Sequence, residues 1–280
     1  MQDKICIITG ANSGIGFYTA LALARKGATI VMVCRNAEKA ETAKQEIMDK
    51  TQNKKIAIFL ADFSSLEESK RVGKEVAAKY PKIDILINNA GFIAKGYREV
   101  TADGLEKTFA VNHMGYFIFT HFLLDAVKAS PQGRIISVSS EAHRFVSNVD
   151  LTNLQLTRGY TSLKAYGISK LCNIWFTREL ARRIKDTNVT VNCVHPGAVA
   201  TNFGTDSGPF FETLLKLGKM FLLTPQQGAE TSIFLASNPE VSKVTGEYFS
   251  KSQIKKISRD ARDDNKAKKL WDMSLEIAGL

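Results

Sequence analysis

Apolar runs recur along the chain at residues 4–9, 29–35, 55–62, 83–88, 133–139, 188–195 and 247–250. Most are continuous in Val and Ile rather than alternating with polar residues, which is the pattern of strands covered by helices on both faces. The intervening residues 15–26, 37–50, 66–79, 103–129 and 162–184 read as helices, each long enough to cross from one parallel strand to the next. Right-handed βαβ units then predict an α/β fold with a fully buried, doubly wound, seven-stranded, mostly parallel sheet and helices on both faces. No internal repeat, low-complexity tract or Pro- and Gly-rich linker marks a boundary. Residues 1–280 therefore read as one domain, with a glycine-rich half to about residue 130 and a second half from about residue 131. One stretch, 198–223, breaks the rhythm with Gly, Pro and clustered Phe, Leu and Met before a helix expected near Thr224. In an open α/β sheet that is where a substrate lid would hang.

A chain with 44% hydrophobic and 24% charged residues is neither disordered nor fibrous. Its apolar runs stay short of the roughly 18 consecutive apolar residues that a membrane span needs. Met1-Gln2-Asp3-Lys4 leads straight into the first strand without a cleavage site, so a cytoplasmic location is expected. Cys6, Cys34, Cys172 and Cys193 lie far apart inside apolar stretches and read as buried free thiols. The net charge of +10 is uneven, because residues 251–270 hold eight basic and three acidic side chains. A solvated helix face accounts for that stretch more simply than nucleic acid or an acidic membrane surface.

Candidate chemistry begins where the first strand ends, at Thr9-Gly10-Ala11-Asn12-Ser13-Gly14-Ile15-Gly16, immediately before a helix. Glycines there allow a tight turn and close backbone approach to a pyrophosphate, while the helix N-terminus offers unpaired N–H groups and a positive dipole end. Tyr166 and Lys170 lie four apart on a helix and so share a face. A nearby ammonium and an oxidised nicotinamide would lower the tyrosine's pKa and let it exchange a proton with a substrate oxygen.

The glycine spacing resembles the TGxxxGIG motif of the short-chain dehydrogenase/reductase family, and further motifs follow in that family's order. They are Asn88-Asn89-Ala90-Gly91, Asn112, Ser139-Ser140, Tyr166-Gly167-Ile168-Ser169-Lys170 and Pro196-Gly197. His195-Pro196-Gly197, Leu223-Thr224-Pro225, Gly246-Glu247-Tyr248-Phe249 and the helix around Trp271 look most like the retinol dehydrogenase and WW-domain oxidoreductase branch. The resemblance implies a Rossmann-type fold with Asn112, Ser140, Tyr166 and Lys170 as catalytic residues. Tyr166 would be the acid/base, Ser140 would hold the substrate oxygen, and Asn112 would position a water that passes protons to Lys170. Ser139 is left as support for the strand end. The cofactor residues it implies are Gly10, Asn12, Ser13, Gly14, Ile15, Gly16, Arg35, Asn36, Asp62, Phe63, Asn89, Ala90, Gly91, Tyr166, Lys170, Pro196, Gly197, Val199 and Thr201. Among these, Asp62 matches the position that meets the adenine amino group, and Val199-Ala200-Thr201 the segment that binds the nicotinamide carboxamide.

Cofactor choice rests on the end of the second strand, Val33-Cys34-Arg35-Asn36, which has no carboxylate at its tip. Arg35 supplies a charged planar fork for a 2′-phosphate, so NADP(H) is favoured over NAD(H). The four histidines show no metal-ligating pattern, and His143, three residues after Ser140, reads as a solvated loop residue, with a place bordering the substrate cleft as the alternative. The expected function is NADP(H)-dependent interconversion of an alcohol and a carbonyl. The alternative is a catalytically silent NADPH sensor or scaffold on the same fold. A bulky apolar substrate is expected because residues 203–223 present Phe210, Phe211, Leu214, Leu217 and Phe221 as an amphipathic lid. The cleft, a ligand, a second copy of the chain or a lipid surface would cover its apolar face, with packing against the domain's own core as the structural alternative.

Overall fold

Eight strands form one sheet: β1 Ile5–Thr9, β2 Thr29–Cys34, β3 Ile56–Leu60, β4 Ile85–Asn88, β5 Arg134–Val138, β6 Thr190–His195, β7 Tyr248–Ser250 and β8 Gln253–Ile254. The structure is a computed structural model that describes residues 1–94, 96–199 and 223–280. Spatial order is β3-β2-β1-β4-β5-β6-β7-β8, all parallel except β8, which returns antiparallel from β7. The sequence pattern does not show β8, because a strand of only Gln253 and Ile254 leaves no apolar run. The turn that creates it is equally short, with Lys251 and Ser252 both at positive φ. The sheet is not buried throughout, since the edge strand β3 leaves Leu60 42% exposed.

The helices are α1 Gly14–Arg25, α2 Ala37–Thr51, α3 Leu66–Lys79, α4 Lys107–Phe109, α5 Gly115–Lys128, α6 Ser162–Arg183, α7 Pro225–Ser237 and α8 Asp264–Ala278. Their starts are set by local chemistry. Asn36, Ser65 and Thr161 each accept a backbone N–H from three residues on, capping α2, α3 and α6. Thr224 and Gln227 form a reciprocal capping box ahead of α7, with Pro225 at its first position. The continuous helix expected over 103–129 is instead delayed and interrupted. The Glu106 carboxylate accepts from Thr108 N at 3.0 Å and Phe109 N at 2.7 Å, so helix begins at Lys107. It then widens into a π turn, Ala110–Met114, that carries Asn112 before α5 continues.

Alternation along the buried strands sends side chains into two cores. Cys6, Ile8, Ile30 and Met32 face α1, α2 and α7, whereas Ile7, Val31, Leu86 and Ile135 face α3, α5, α6 and α8. On the second face Phe117, Phe176 and Trp271 form an aromatic cluster, with Phe176 stacked on Trp271 at 6.1 Å and 5°. The buried His113 bonds Ser274 at 2.9 Å and so ties the π turn to α8. All four cysteines are free and buried. No helix among the described residues is long and apolar enough to cross a membrane.

Candidate active site

Strand order reverses at β1, whose neighbours β2 and β4 lead the chain in opposite directions, and this opens a crevice at their C-terminal ends. The glycine turn lies there against the end of β4. A Cβ on Gly10 would stand 3.0 Å from Ala90 Cα, and one on Gly16 would stand 2.3 Å from the Gly10 oxygen and 2.5 Å from Asn89 Nδ2. Gly10 also takes φ +66°, in the left-handed region that glycine tolerates. The hydroxyl of Thr9 accepts from the backbone N–H groups of Asn89 at 2.8 Å and Ala90 at 2.9 Å. In return, Asn89 Nδ2 donates to the Thr9 carbonyl at 2.8 Å. In the same turn Asn12, Gly14 and Ile15 are partly exposed and Ser13 is exposed, as is Gly91 after β4. Ser13, the N-cap of α1, makes no side-chain capping bond, which leaves the first N–H groups of that helix able to receive an anion.

At the next two strand ends, Arg35 Nη1 lies 3.9 Å from Asp62 Oδ2, and both side chains are substantially exposed. Asp62 Oδ1 accepts from Ser64 N at 2.9 Å. Helix capping there falls to Ser65 instead. Asn36 Oδ1 is engaged in capping α2 through Lys39 N. Phe63 is 7% exposed. Its side chain packs on Gly115 and Phe119 and so points into the core. After β6, Gly197 takes φ +94°. Val199 pairs with Leu223 in a parallel bridge, and Leu223 N donates to the Ala198 oxygen at 2.8 Å. Thr201 and the apolar lid residues from Phe203 to Leu222 lie outside the described residues.

The other candidates converge at the ends of β5 and on α6. Ser140 follows β5 and bonds the Tyr166 phenol. Burial pushes the Tyr166 pKa up to about 12, against the smaller lowering effect of the Ser140 hydrogen bond. The lowering expected from the sequence belongs to the protein with an oxidised nicotinamide beside the phenol. Lys170 is 2% exposed, its Nζ donates to the Val138 oxygen at 3.0 Å and lies 5.5 Å from the Tyr166 ring centre. Burial pulls its pKa down to about 7. Ser139 donates to the Lys170 carbonyl at 2.8 Å, a supporting role. Asn112 Oδ1 accepts from Phe92 N at 2.7 Å, and its Nδ2 donates to the Phe92 oxygen and to Ser169 Oγ, each at 2.9 Å. The amide thus ties the π turn on one side to the segment after β4 and on the other to α6. Pro196 stands partly exposed at the end of β6, on the same edge as Ser140.

Three features escape a reading by motif. Thr9 links the two sides of the crevice. Tyr116 is fully buried beneath Lys170, 5.8 Å from ring centre to Nζ. Its phenol oxygen has no hydrogen-bond partner among the described residues. Its place four residues after Asn112, one helical turn on, was the available signal. The third feature is a correction, because His143 is wholly buried rather than solvated. It sits in a 3-10 turn, Glu141–Phe145, whose Glu141 accepts from Tyr248 OH at 2.9 Å and gives its backbone N–H to His195 Nδ1 at 3.3 Å. Among the described residues no group of three or more His, Cys, Asp or Glu is arranged to hold a metal ion.

The sequence profile of the short chain dehydrogenase family matches residues 4–209. Human retinol dehydrogenase 11 is 39% identical over 280 residues, covering 100% of this chain and 87% of that protein. Human retinol dehydrogenase 14 is 38% identical over 299 aligned positions, covering 100% and 88%. Among solved structures, an uncharacterised protein from Mycobacterium paratuberculosis superposes with a TM-score of 0.80 at 30% identity, over 99% of this chain and 94% of that one. A Beutenbergia cavernae protein assigned as an NAD(P)-dependent gluconate 5-dehydrogenase, with NADP bound, gives 0.71 at 26% identity over 89% and 95%. With its crevice, its Ser140–Tyr166–Lys170 cluster and these full-length relatives, the chain belongs to the short-chain dehydrogenase/reductase family of oxidoreductases, and within it resembles the retinol dehydrogenases.

Proposed function

We propose that this protein interconverts an alcohol and its aldehyde or ketone with NADP(H), on a bulky apolar substrate of the retinol type. The observation that carries the reading is the joint geometry of Ser140, Tyr166 and Lys170: a serine hydroxyl bonded to a half-buried phenol, with a buried lysine amine 5.5 Å from the same ring. A dinucleotide suits the crevice because the start of α1 has no side-chain cap and Gly10 and Gly16 leave the backbone bare. Bound there, the cofactor would supply or take the hydride. Ser140 holds the substrate oxygen beside Tyr166, whose phenol gives up or receives the proton. Lys170 favours the phenolate and is itself held by the Val138 carbonyl, while Asn112 fixes the π turn on which α6 rests.

Arg35 supports the preference for NADP(H), since its guanidinium stands exposed at the tip of β2 with Asp62 as a brace. Support for an apolar substrate comes from Phe145, 67% exposed at the end of the Ser140 turn, and Leu163, 44% exposed one turn before Tyr166. The names of the retinol dehydrogenase relatives agree in kind. The test is NADPH oxidation with retinaldehyde, large aromatic aldehydes and small polar aldehydes in parallel. Turnover should favour the large apolar compounds; cofactor binding without turnover on any of them would favour the sensor alternative. A cytoplasmic location belongs to the same proposal, and firm sedimentation with membranes at high salt would overturn it.

A further inference from the structure

The two ring nitrogens of His143 define a single chemical state. Nδ1 lies 2.7 Å from the Ser140 carbonyl oxygen, which can only accept, so Nδ1 carries the hydrogen. Nε2 lies 3.4 Å from the Ser258 backbone nitrogen, which can only donate, so Nε2 is the bare acceptor. Both contacts require the same neutral tautomer. The backbone N–H of His143 adds a 3.2 Å bond to the same Ser140 carbonyl, and the ring packs on Tyr248 with centres 5.1 Å apart. A continuous path of contacts therefore runs from the C-terminal segment, through the imidazole, to the serine that bonds Tyr166.

We infer that His143 is a positioning residue for Ser140, clamping the turn that carries the serine to the backbone at Ser258 as a neutral Nδ1–H imidazole, and that protonating the ring releases the clamp. The catalytic consequence rests on the oxidoreductase reading above, whereas the tautomer belongs to the resting protein. A second ring proton would set N–H against N–H at Ser258 and place a cation in a buried site. The charged and titratable groups around the ring are Glu141 and Arg144 on its own turn, His195 at the end of β6 and Tyr248 on β7, with Tyr166 on α6 reached through Ser140. Burial, aided by Arg144, lowers the His143 pKa from its ordinary 6.5, and the Ser140 bond and Glu141 oppose this only in part. As pH falls through 6.5 the unfolded chain takes up a proton that the folded chain refuses. Stability thus declines from there down to the lower folded-state value.

Nitrogen-15 NMR of the intact chain, with labelled histidine assigned through His143→Asn, reads the tautomer without any turnover. A protonated Nδ1, a bare Nε2 and a titration midpoint below the ordinary value are expected; an Nε2–H tautomer or an unshifted midpoint overturns the clamp. Steady-state kinetics with NADPH and retinaldehyde then test the positioning role. His143→Ala should lose about tenfold in kcat with the KM for NADPH within about twofold, as expected for loss of a buried hydrogen bond away from the cofactor. His143→Asn, whose amide nitrogen can take the place of Nδ1, should recover most of that loss. Equal loss in both variants overturns positioning through Ser140, and the NMR reading on the unmutated chain decides the clamp even where His143→Ala does not fold. If the unmutated chain turns over no aldehyde, the oxidoreductase reading fails, and the tautomer measurement still separates that failure from failure of the clamp.

Discussion

Lys170 Nζ lies 5.5 Å from the centre of the Tyr166 ring, and burial moves the two groups in opposite senses, the lysine down to about 7 and the tyrosine up to about 12. In the resting protein burial disfavours the charged form of each, which makes a phenolate–ammonium pair at this place costly. The glycine crevice and the Ser140–Tyr166–Lys170 cluster open on the same edge of the sheet, at the C-terminal ends of β1, β4, β5 and β6.

Replacing Tyr166 by Phe removes the transferable proton and keeps the ring. Turnover should fall by about two to four decades, the usual worth of general acid–base catalysis, while NADPH affinity changes by no more than about twofold. Stopped-flow turnover and a fluorescence titration of NADPH measure the two quantities, and a loss of less than tenfold moves the acid role to another residue.

Lys170 gives a pH signature with a definite sign. Its folded pKa, about 7, lies below the ordinary 10.5, so between these values the unfolded chain binds a proton that the folded chain does not. Stability attributable to this residue therefore rises with pH across that window, by at most about 1.4 kcal/mol per pH unit. The buried cysteines and Tyr166, all raised, act in the opposite sense at alkaline pH. The clean measurement is consequently the difference in urea unfolding free energy between the unmutated chain and Lys170→Met, which should increase from pH 7 to pH 9. A flat or falling difference would show that Lys170 keeps its proton in the folded chain.

Arg35→Ala should weaken NADPH binding by roughly one to two decades, the worth of about 1.5–3 kcal/mol for a charge-assisted contact, and spare NADH. Asp62→Asn should blunt the same selectivity less, since it removes the brace and leaves the guanidinium. Equal losses for the two cofactors in Arg35→Ala would assign the arginine to the adenine ring. Isothermal titration with each cofactor distinguishes the cases.

Gly16→Ala introduces a Cβ 2.3 Å from the Gly10 oxygen and 2.5 Å from Asn89 Nδ2. The oxygen is backbone in a tight turn and cannot rotate away, so the turn must shift from β4. Overpacking of this kind costs about 1–3 kcal/mol. The variant should unfold at a lower temperature in differential scanning calorimetry and bind neither NADPH nor NADH, since both would use the turn.

The strand–helix alternation was legible because central strands buried on both faces leave unbroken Val and Ile runs, and Tyr166 with Lys170 was legible because helical spacing alone puts positions four apart together. The delayed start at Lys107 was not, since it depends on the buried Glu106 carboxylate binding its own chain, whereas a charged residue at that position ordinarily reads as a solvated helix face. The burial of His143 was not legible either, because the Ser258 amide that donates to its ring is 115 residues away in sequence. The contact of Arg35 with Asp62 depends on adjacent strand ends, β2 beside β3, a pairing that only the topology makes explicit. Phe63 sits next to Asp62 in its motif but on the opposite side of the backbone, and Gly115 provides the space it fills.

The buried phenol of Tyr116 separates structural from functional use. Its oxygen has no hydrogen-bond partner among the described residues, although burial and the nearby Tyr166 hold its pKa well above the ordinary phenol value. An unsatisfied buried hydroxyl costs about 1–3 kcal/mol, so its removal should relieve the resting fold. Tyr116→Phe is therefore expected to melt at the same temperature as the unmutated chain or slightly higher in the absence of cofactor. The Tyr116 ring centre lies 5.8 Å from Lys170 Nζ, and if its hydroxyl supports that lysine in the cofactor-bound protein the same variant should gain less thermal stability on adding saturating NADPH. Its kcat should also fall while Tyr166 remains in place. Thermal melts with and without NADPH, paired with steady-state turnover, measure both effects. An unchanged cofactor-induced shift together with unchanged kcat would leave Tyr116 as packing beneath Lys170 and remove it from the candidate site.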